Sequence, residues 1–507
     1  MLAAGPLSLR IPYFLMKPIP RRSFLQSTLV AAGSGLAATG LRPSTRAAPA
    51  GANDAIRVGI IGLGNKGLGH LKSCVRNKEV RVTAVCDVDP ERVARALDTV
   101  KDSHLSPFGT MDARVLLDRD DVDAIFVATC NHWHALLTVW GCQAGKDVYV
   151  EKPMSHTVWE GRKMIEAAAK YRRIVQVGTQ YRSGTGLAEG IQFIRDGQLG
   201  KLQYVHAVAY LRRGSIGRRL PWYPEGLSYD LFCGPAPMVP LERNKLHYDW
   251  HWMWDTGNGD LGNNGVHFLD LALRVAGQTL PPPRVLGLGA RYTDPAGDVA
   301  EVPNAQVVVY DYPGAPVIYE NRALPAKPGV DFMDQAGGVR IGVVAHCEGG
   351  YVSGLTGLAA HDRGGKVIRK FPSDGGAGHA ANFFAAVRSR RARDLAAPVE
   401  TGHTSAAVCH YGNISCRAGD PATPDQIMSA LEPVTGAAEI GHSLLRHLGV
   451  HGIELTTRPL ALGPWLELDA SRDGIAGVQA GFDPRREFAR HLLRQTQRPP
   501  YVIPEKV

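Results

Sequence analysis

Apolar residues along this chain follow two successive patterns. Short β-rich runs at residues 57–61, 80–86, 124–128 and 147–150 alternate with stretches that can be helical, at 68–77 and from Ala135 onward. Strand and helix in turn predict a doubly wound parallel sheet, and the run 176–179 closes this first half. From Leu202 the pattern changes. Runs at 202–210, 285–291, 306–310, 317–321, 340–345 and 350–352 read as strands of a second, larger sheet. Gly378-His379-x-x-Asn382-Phe383 is expected to open a helix against that sheet. His379 and His403 stand at predicted helix starts, as caps or packing rather than substrate contacts. Residues 421–507 contain no repeat or low-complexity run and are expected to wrap back as helices and an extended tail. The organisation is therefore α/β: a doubly wound domain at 54–178, a second α/β domain at 179–420, and an extension at 421–507.

The N-terminus changes that picture by removing itself from it. Pro20-Arg21-Arg22-Ser23-Phe24-Leu25-Gln26 precedes a weakly apolar, Ala/Gly-rich stretch, and Ala48-Pro49-Ala50 supplies small residues for cleavage. Residues 1–50 thus read as a twin-arginine signal peptide, which places the mature protein in the periplasm or outside the cell. Met16 stands five residues before the arginine pair and is the expected true start. No run has the length of a transmembrane helix.

Composition then excludes several classes. With 507 residues and 44% hydrophobic content the chain is globular and too long for one ordinary core. Its formal charge of +9 suggests nucleic acid only until it is located. Arg10, Lys17, Arg21, Arg22, Arg42 and Arg46 precede residue 50, where no acid stands, and without them +3 remains. No basic run interleaved with aromatics follows, so nucleic acid is not an expected partner. The eight cysteines form no C-x-x-C pair and no zinc spacing with histidine, so no metal is expected. One or two disulfides are compatible with export, and spacing does not pair them.

The chemistry begins at Gly62-Leu63-Gly64-Asn65-Lys66-Gly67, between the first strand and the first helix. That is the context the G-x-G-x-x-G motif requires. Gly62 permits the turn, Gly64 lets a pyrophosphate approach the backbone, and Gly67 lets helix and strand pack closely. Asp87 ends the second strand twenty residues after Gly67, where a carboxylate accepts from the adenosine ribose hydroxyls. With Asp89 it repels a 2′-phosphate, which favours NAD over NADP. Thr129-Cys130-Asn131-His132-Trp133-His134 and Glu151-Lys152-Pro153 follow the next two strands, at the carboxyl ends where ligands gather. Asn131 and His134 either cap the following helix or contact the cofactor, whereas His132 and Trp133 are structural. Gln180 and Arg182 lie near the nicotinamide side as cofactor or substrate contacts. Trp250, Trp252 and Trp254 alternate, so one strand face could present all three, either as sheet core or as a platform for sugar C–H faces.

Taken together, the glycine turn, Cys86-Asp87, residues 129–134, Glu151-Lys152-Pro153 and residues 259–270 resemble the Gfo/Idh/MocA oxidoreductase family, and the likeness runs from Gly59 to about residue 420. The export signal, Gly234-Pro235 and Arg498-Pro499-Pro500-Tyr501 look like a secreted branch of it. The resemblance implies a C-terminal domain whose open, mainly antiparallel sheet covers the nicotinamide and supports homo-oligomer contacts. It implies that Lys152 assists proton transfer beside the reacting carbon, with its pKa drawn down by the nicotinamide charge. His267 occupies the family's catalytic histidine position. There the family usually carries Asp four residues earlier; this chain has Asn263, which can hydrogen-bond an imidazole but cannot balance an imidazolium. Lys152, or Asp260 if it folds inward, would then share the role. The same segment is similar to family 109 glycoside hydrolases, which oxidise a sugar at C3, eliminate the aglycone, add water and reduce the ketone on one bound NAD.

The expected function is hydride chemistry on the hydroxyl of a small sugar or polyol. Free NAD is scarce outside the cytoplasm and the twin-arginine route carries folded proteins, so a retained cofactor and redox-neutral turnover are expected. An NAD-dependent glycosidase or lyase is the alternative, and a noncatalytic sugar-binding protein the third.

Overall fold

The computed structural model describes residues 55–103, 106–476 and 483–507, so the leader expected over 1–50 and the start at Met16 lie outside the described residues. Six parallel strands build the first sheet: β1 (Ile56–Ile61), β2 (Val80–Cys86), β3 (Phe108–Thr110), β4 (Ala124–Val127), β5 (Asp147–Val150) and β6 (Val175–Val177), in the order β3-β2-β1-β4-β5-β6. The crossovers are α1 (Asn65–Arg76), α2 (Pro90–Val100), α3 (Ala113–Leu117), α4 (Asn131–Gln143) and α5 (Val158–Tyr171). Helices on both faces bury the strands twice over, which is why β4 and β5 are buried at every position and read as unbroken apolar runs. The strand order reverses between β1 and β4. Their carboxyl ends therefore flank the crevice in which a doubly wound sheet takes its ligand.

The second sheet has twelve strands and is mainly antiparallel. After α6 (Leu187–Arg195) come β7 (Leu202–Tyr210), α7 (Tyr229–Cys233) and α8 (Val266–Val275), then β8 (Arg284–Ala290), β9 (Ala305–Asp311), β10 (Val317–Arg322), β11 (Ile341–Cys347), β12 (Gly350–Gly354), β13 (Leu358–Asp362) and β14 (Val367–Phe371). The chain continues through α9 (His379–Ser389), α10 (Val399–Arg417), β15 (Asp420–Ala422), α11 (Pro424–Leu431), α12 (Ala437–Val450), β16 (Leu460–Leu462), β17 (Leu466–Asp469), β18 (Gly474–Ile475) and α13 (Pro484–His491). The last eighty-odd residues thus supply strands as well as the expected helices and tail.

Period-two alternation on β7 shows how both faces of this sheet are used. Val205, Ala207 and Ala209 join the core beneath α6, α8 and α10, while Tyr204 and Val208 face the other way. On that outer side Ile427, Leu431, Ile440 and Leu444 of α11 and α12 cover Leu286, Val307, Val309 and Ile318. A buried charged network lies on the same side. Glu320 accepts from Arg322 Nε at 2.7 Å and lies 3.0 Å from His206 Nε2, and Arg322 reaches Asp334 at 2.6 Å and Ser443 of α12 at 2.8 Å.

The helix opened by Gly378-His379 packs on the six-stranded sheet, not the large one: Phe383, Phe384 and Ala386 of α9 join the core of Ile56, Val58, Phe126 and Tyr149. Sequence distance hid this, because α9 returns to the first sheet more than two hundred residues after β6. His379 is packing, with Nε2 2.9 Å from Val177 O, and His403 lies inside α10 rather than at its start. All eight cysteines are free. Among the described residues no helix is long and apolar enough to cross a membrane, and no group of three or more His, Cys, Asp or Glu could hold a metal ion.

Candidate active site

The first turn after β1 is shaped by what its glycines omit. Gly62 has φ +87°, and a Cβ there would stand 2.5 Å from Ala128 O; a Cβ on Gly67 would stand 1.8 Å from Gly62 O. Only glycine lets β1, this turn and α1 approach so closely. No side chain caps α1, whose first N–H groups, preceded by Gly64, face the crevice with the positive end of the helix dipole. Asp87 at the end of β2 accepts from Leu63 N–H at 2.6 Å and from Asp89 N–H at 3.1 Å. Burial raises its carboxyl above the ordinary range, against the pull of the Leu63 N–H and Arg92.

A cleft of about 460 Å³ runs from this turn across the carboxyl ends of the strands. Gly62, Gly64, Asn65, Lys66, Asp87, Thr129, Asn131, His134, Glu151 and Lys152 line it, whereas Leu63 and Gly67 are buried and Gln180 is half-buried, all three outside the lining. Asn131 is the first residue of α4 and donates to Asn258 Oδ1 at 2.9 Å, tying the helix to the second domain. His134 sets its ring nitrogens 2.7 Å from Pro153 O and 3.1 Å from Thr129 O, so it fixes one crevice loop to the next. Burial favours the neutral ring.

At the far end of the cleft Glu151 and Lys152 stand in the wall, with His267 near them but outside the lining. Burial alone would raise the Glu151 carboxyl, yet His70 Nε2 at 2.8 Å, Lys66 at 3.4 Å and the neighbouring Lys152 hold it well below the usual carboxylate range. Gly178 makes room for it, since a Cβ there would touch Glu151 Cδ at 2.9 Å. Lys152 Nζ donates to Asn263 O at 2.8 Å and to Asn263 Oδ1 at 2.9 Å. Burial lowers its pKa to about 8 despite the attraction of Glu151. Asn263 belongs to a π-helical turn, Leu261–Gly265, the wide form often found at functional sites, which leads into α8. His267, one turn on, is 8% exposed and packs edge-on against Tyr181 at 5.0 Å. Burial first, and then the Lys152 charge, push its pKa well below the usual histidine value, so the ring is neutral. His267 Nδ1, Thr179 Oγ1 and Gln180 Oε1 are buried without partners on neighbouring segments. Such groups are costly unless something bonds them. A dinucleotide fits the cleft lining: a glycine cradle at one end, a ribose acceptor beside it, and at the other the Lys152 amine, whose pKa burial has lowered to about 8.

The remaining expected substrate contacts are placed elsewhere. Arg182 donates to Asp270 Oδ1 at 2.7 Å beneath α8, and Asp260 is held by Arg213 at 3.0 Å, 2% exposed and away from the cleft. Asp260 is thus paired with Arg213, accepts from Asn264 Nδ2 at 3.1 Å, and acts on Lys152 as a nearby negative charge. The alternating tryptophans are not on a strand. Asp249–Trp252 forms a 3₁₀ turn, which points them apart: Trp250 lines the cleft stacked on His251 at 3.6 Å, Trp252 is buried under Arg213, and Trp254 faces a second cavity of about 200 Å³ beside Arg417. Sequence reasoning missed Tyr248 and His251 as cleft residues, and also His70, Leu231, Phe232 and Tyr501. Only His70, one helical turn after Gly67, carried a spacing signal.

Asn263 bonds Lys152 without adding a charge of its own, which gives a testable consequence. Asn263→Asp sets a carboxylate at the amine and favours the ammonium. Where Lys152 takes a proton in turnover, the ascending limb of the pH–rate profile, expected near pH 8, should move upward by about one pH unit or more. An unshifted limb would remove Lys152 as the titrating group.

Comparison with known proteins gives three findings. Residues 56–179 match the model of an oxidoreductase family's NAD-binding Rossmann fold, and residues 210–285 match that family's C-terminal alpha/beta domain. A glycosyl hydrolase family 109 protein of Saccharopolyspora erythraea is 35% identical over 267 residues, 48% of this chain and 52% of its own length. The chain thus spans about half the length of the curated relatives it matches. Among solved structures, the WlbA dehydrogenase from Bordetella pertussis in complex with NADH and UDP-GlcNAcA superposes with a TM-score of 0.53 at 17% identity, over 72% of this chain and 96% of that one. Aldose-aldose oxidoreductase from Caulobacter crescentus, complexed with glycerol, does so with a TM-score of 0.52 at 18% identity, over 71% and 97%. At these identities the likeness is one of fold.

Proposed function

Because the chain carries the NAD-binding and C-terminal domains of the Gfo/Idh/MocA oxidoreductases, we propose that it oxidises a hydroxyl-bearing carbon of a small sugar or polyol on a nicotinamide dinucleotide held in the cleft. The observation that carries this reading is Lys152 Nζ, an amine with a pKa of about 8, fixed at the end of a dinucleotide cradle by two contacts to Asn263. When bound, the nicotinamide supplies the hydride acceptor. Lys152 in its neutral form takes the hydroxyl proton, and Asn263 holds it in line without adding a counter-charge that would keep it protonated. His267, neutral and beside Lys152, offers a hydrogen bond rather than a charge. Tyr248, Trp250 and His251 wall the cleft with rings that suit the C–H face of a sugar. The Asp87 carboxylate supports NAD over NADP.

The proposal extends to turnover and place. The twin-arginine pattern supports export to the periplasm or beyond, hence a cofactor loaded beforehand, retained, and regenerated by redox-neutral turnover. A homo-oligomer is proposed as well; α11 and α12 cover the outer face of β8–β10, so its contact lies away from that area.

A second reading is favoured by one observation, the relatives named as family 109 glycosyl hydrolases. In it the same oxidation is transient and loosens an aglycone before reduction restores the sugar. Aryl glycosides separate the two. Release of the phenol without net NADH supports the glycosidase, whereas nicotinamide reduction by free sugars with intact glycosides supports the oxidoreductase. Neither signal from nucleotide-loaded protein would refute both.

A further inference from the structure

The tail motif Arg498-Pro499-Pro500-Tyr501 plays no part in the chemistry above, yet Tyr501 lines the cleft. We propose that this tail is part of the cofactor site: it straps α7 over the adenosine half of the cleft and thereby retains the dinucleotide. The inference rests on the reading that the cleft holds such a cofactor.

The two ends of the cleft are chemically distinct. Lys152 and Asn263 mark the reacting end, and Asp87 at the end of β2 marks the ribose of the adenosine end, so the base lies toward the residues that follow β3. There the wall is made by Met111 and Arg114, by Trp140 of α4, and by Leu231 and Tyr501. The last two reach this place from far along the chain. Leu231 belongs to α7, in the long connection between β7 and α8, which crosses the crevice: Ser228 N–H donates to Val88 O at 3.3 Å, Trp133 Nε1 to Leu231 O at 3.0 Å, and His247 Nε2 stands 3.1 Å from Asp89 Oδ2.

The tail then fastens α7 from outside. Arg498 donates to Asp230 Oδ1 at 2.6 Å, Asp230 O at 2.8 Å and Gly234 O at 3.1 Å, and Tyr501 OH donates to Asp230 Oδ2 at 2.5 Å. The Tyr501 ring is 2% exposed and packs edge-on against Trp133 at 5.4 Å. Beyond and before α7 the tail is anchored to α5: Lys163 Nζ donates to Glu505 O at 2.7 Å, Gln497 Nε2 to Glu160 Oε1 at 3.0 Å, and Ile503 is 1% exposed in the core. A segment pinned on both sides and bonded to α7 between them cannot open without breaking charge-assisted bonds. Opening of α7 is the adenosine's way out, so those bonds set the release rate.

The experiment is a stopped-flow measurement of NADH release from the full mature chain, read as loss of tryptophan-sensitised nicotinamide fluorescence on mixing with excess NAD. Asp230→Asn, which keeps the fold's contacts but drops the charge, and a chain ending at Gln497 are the variants. Release should be about tenfold faster in Asp230→Asn and faster still without the tail. Amide exchange supplies a readout independent of any variant's folding: NADH should slow exchange in residues 229–234 and 498–503. Equal release rates, or exchange in both segments indifferent to NADH, would overturn the strap while leaving the cofactor reading in place. An intact chain that binds no NADH would overturn both.

Discussion

Lys152→Met should lower sugar-dependent nicotinamide reduction by roughly 10²–10⁴-fold, the contribution of one positioned acid/base. NADH affinity should change little, because the glycine cradle and Asp87 stand at the other end of the cleft. Lys152→Arg sharpens the test. Arginine keeps the charge but does not give up its proton near neutral pH, so it should be nearly as inactive as methionine. The pH dependence follows from the sign of the shift. Burial lowers the lysine to about 8, so the neutral base grows as pH rises through that value and the oxidation rate grows with it. Activity retained in Lys152→Arg would move the role to another residue, and His267 would be the remaining candidate.

The largest effect on stability is expected from Arg322→Met. The substitution leaves Glu320, 0% exposed, without its nearest cation and leaves Asp334 without a partner that links the sheet to α12. Removing one partner of a buried pair costs about 3–5 kcal/mol, because the other charge remains buried. The urea midpoint should fall accordingly. Acid sensitivity should change too. Burial alone would raise the Glu320 carboxyl, but Arg322 and His206 hold it at about 2, so its stabilising contribution is present above the ordinary carboxylate range and lost only as pH falls through about 2. Without Arg322 that loss should begin at higher pH. An unfolding free energy within about 0.5 kcal/mol of the parent would show that the network carries no net stability.

What the sequence made legible is local. β1, β2, β4 and β5 announced themselves because a parallel sheet covered on both faces needs runs of apolar residues, whereas the short edge strand β3, with no buried position, did not; Gly62 and Gly67 stood out because a Cβ at either would collide with neighbouring backbone. Asp87 and Lys152 followed from their places at strand ends. What it concealed is made by contacts between distant segments. Nothing in the spacing of Trp250, Trp252 and Trp254 distinguishes a strand from a 3₁₀ turn, since tertiary packing decides between them. Asp260 and Arg182 looked available because their partners, Arg213 and Asp270, lie 47 and 88 residues away. The wide turn that brings Asn263 to Lys152 and the tail that brings Tyr501 to the cleft depend on the assembled molecule for the same reason.

Everything proposed for Lys152 requires a nicotinamide dinucleotide lying along the cleft with its reactive ring at that residue. The most direct measurement of that placement is a crystal structure of the protein with NADH. The account predicts the pyrophosphate over the Gly62–Gly67 turn, ribose oxygens on Asp87, and the nicotinamide beside Lys152 and Asn263. A nucleotide bound elsewhere, or a cleft that stays closed to it at saturating concentration, would contradict it.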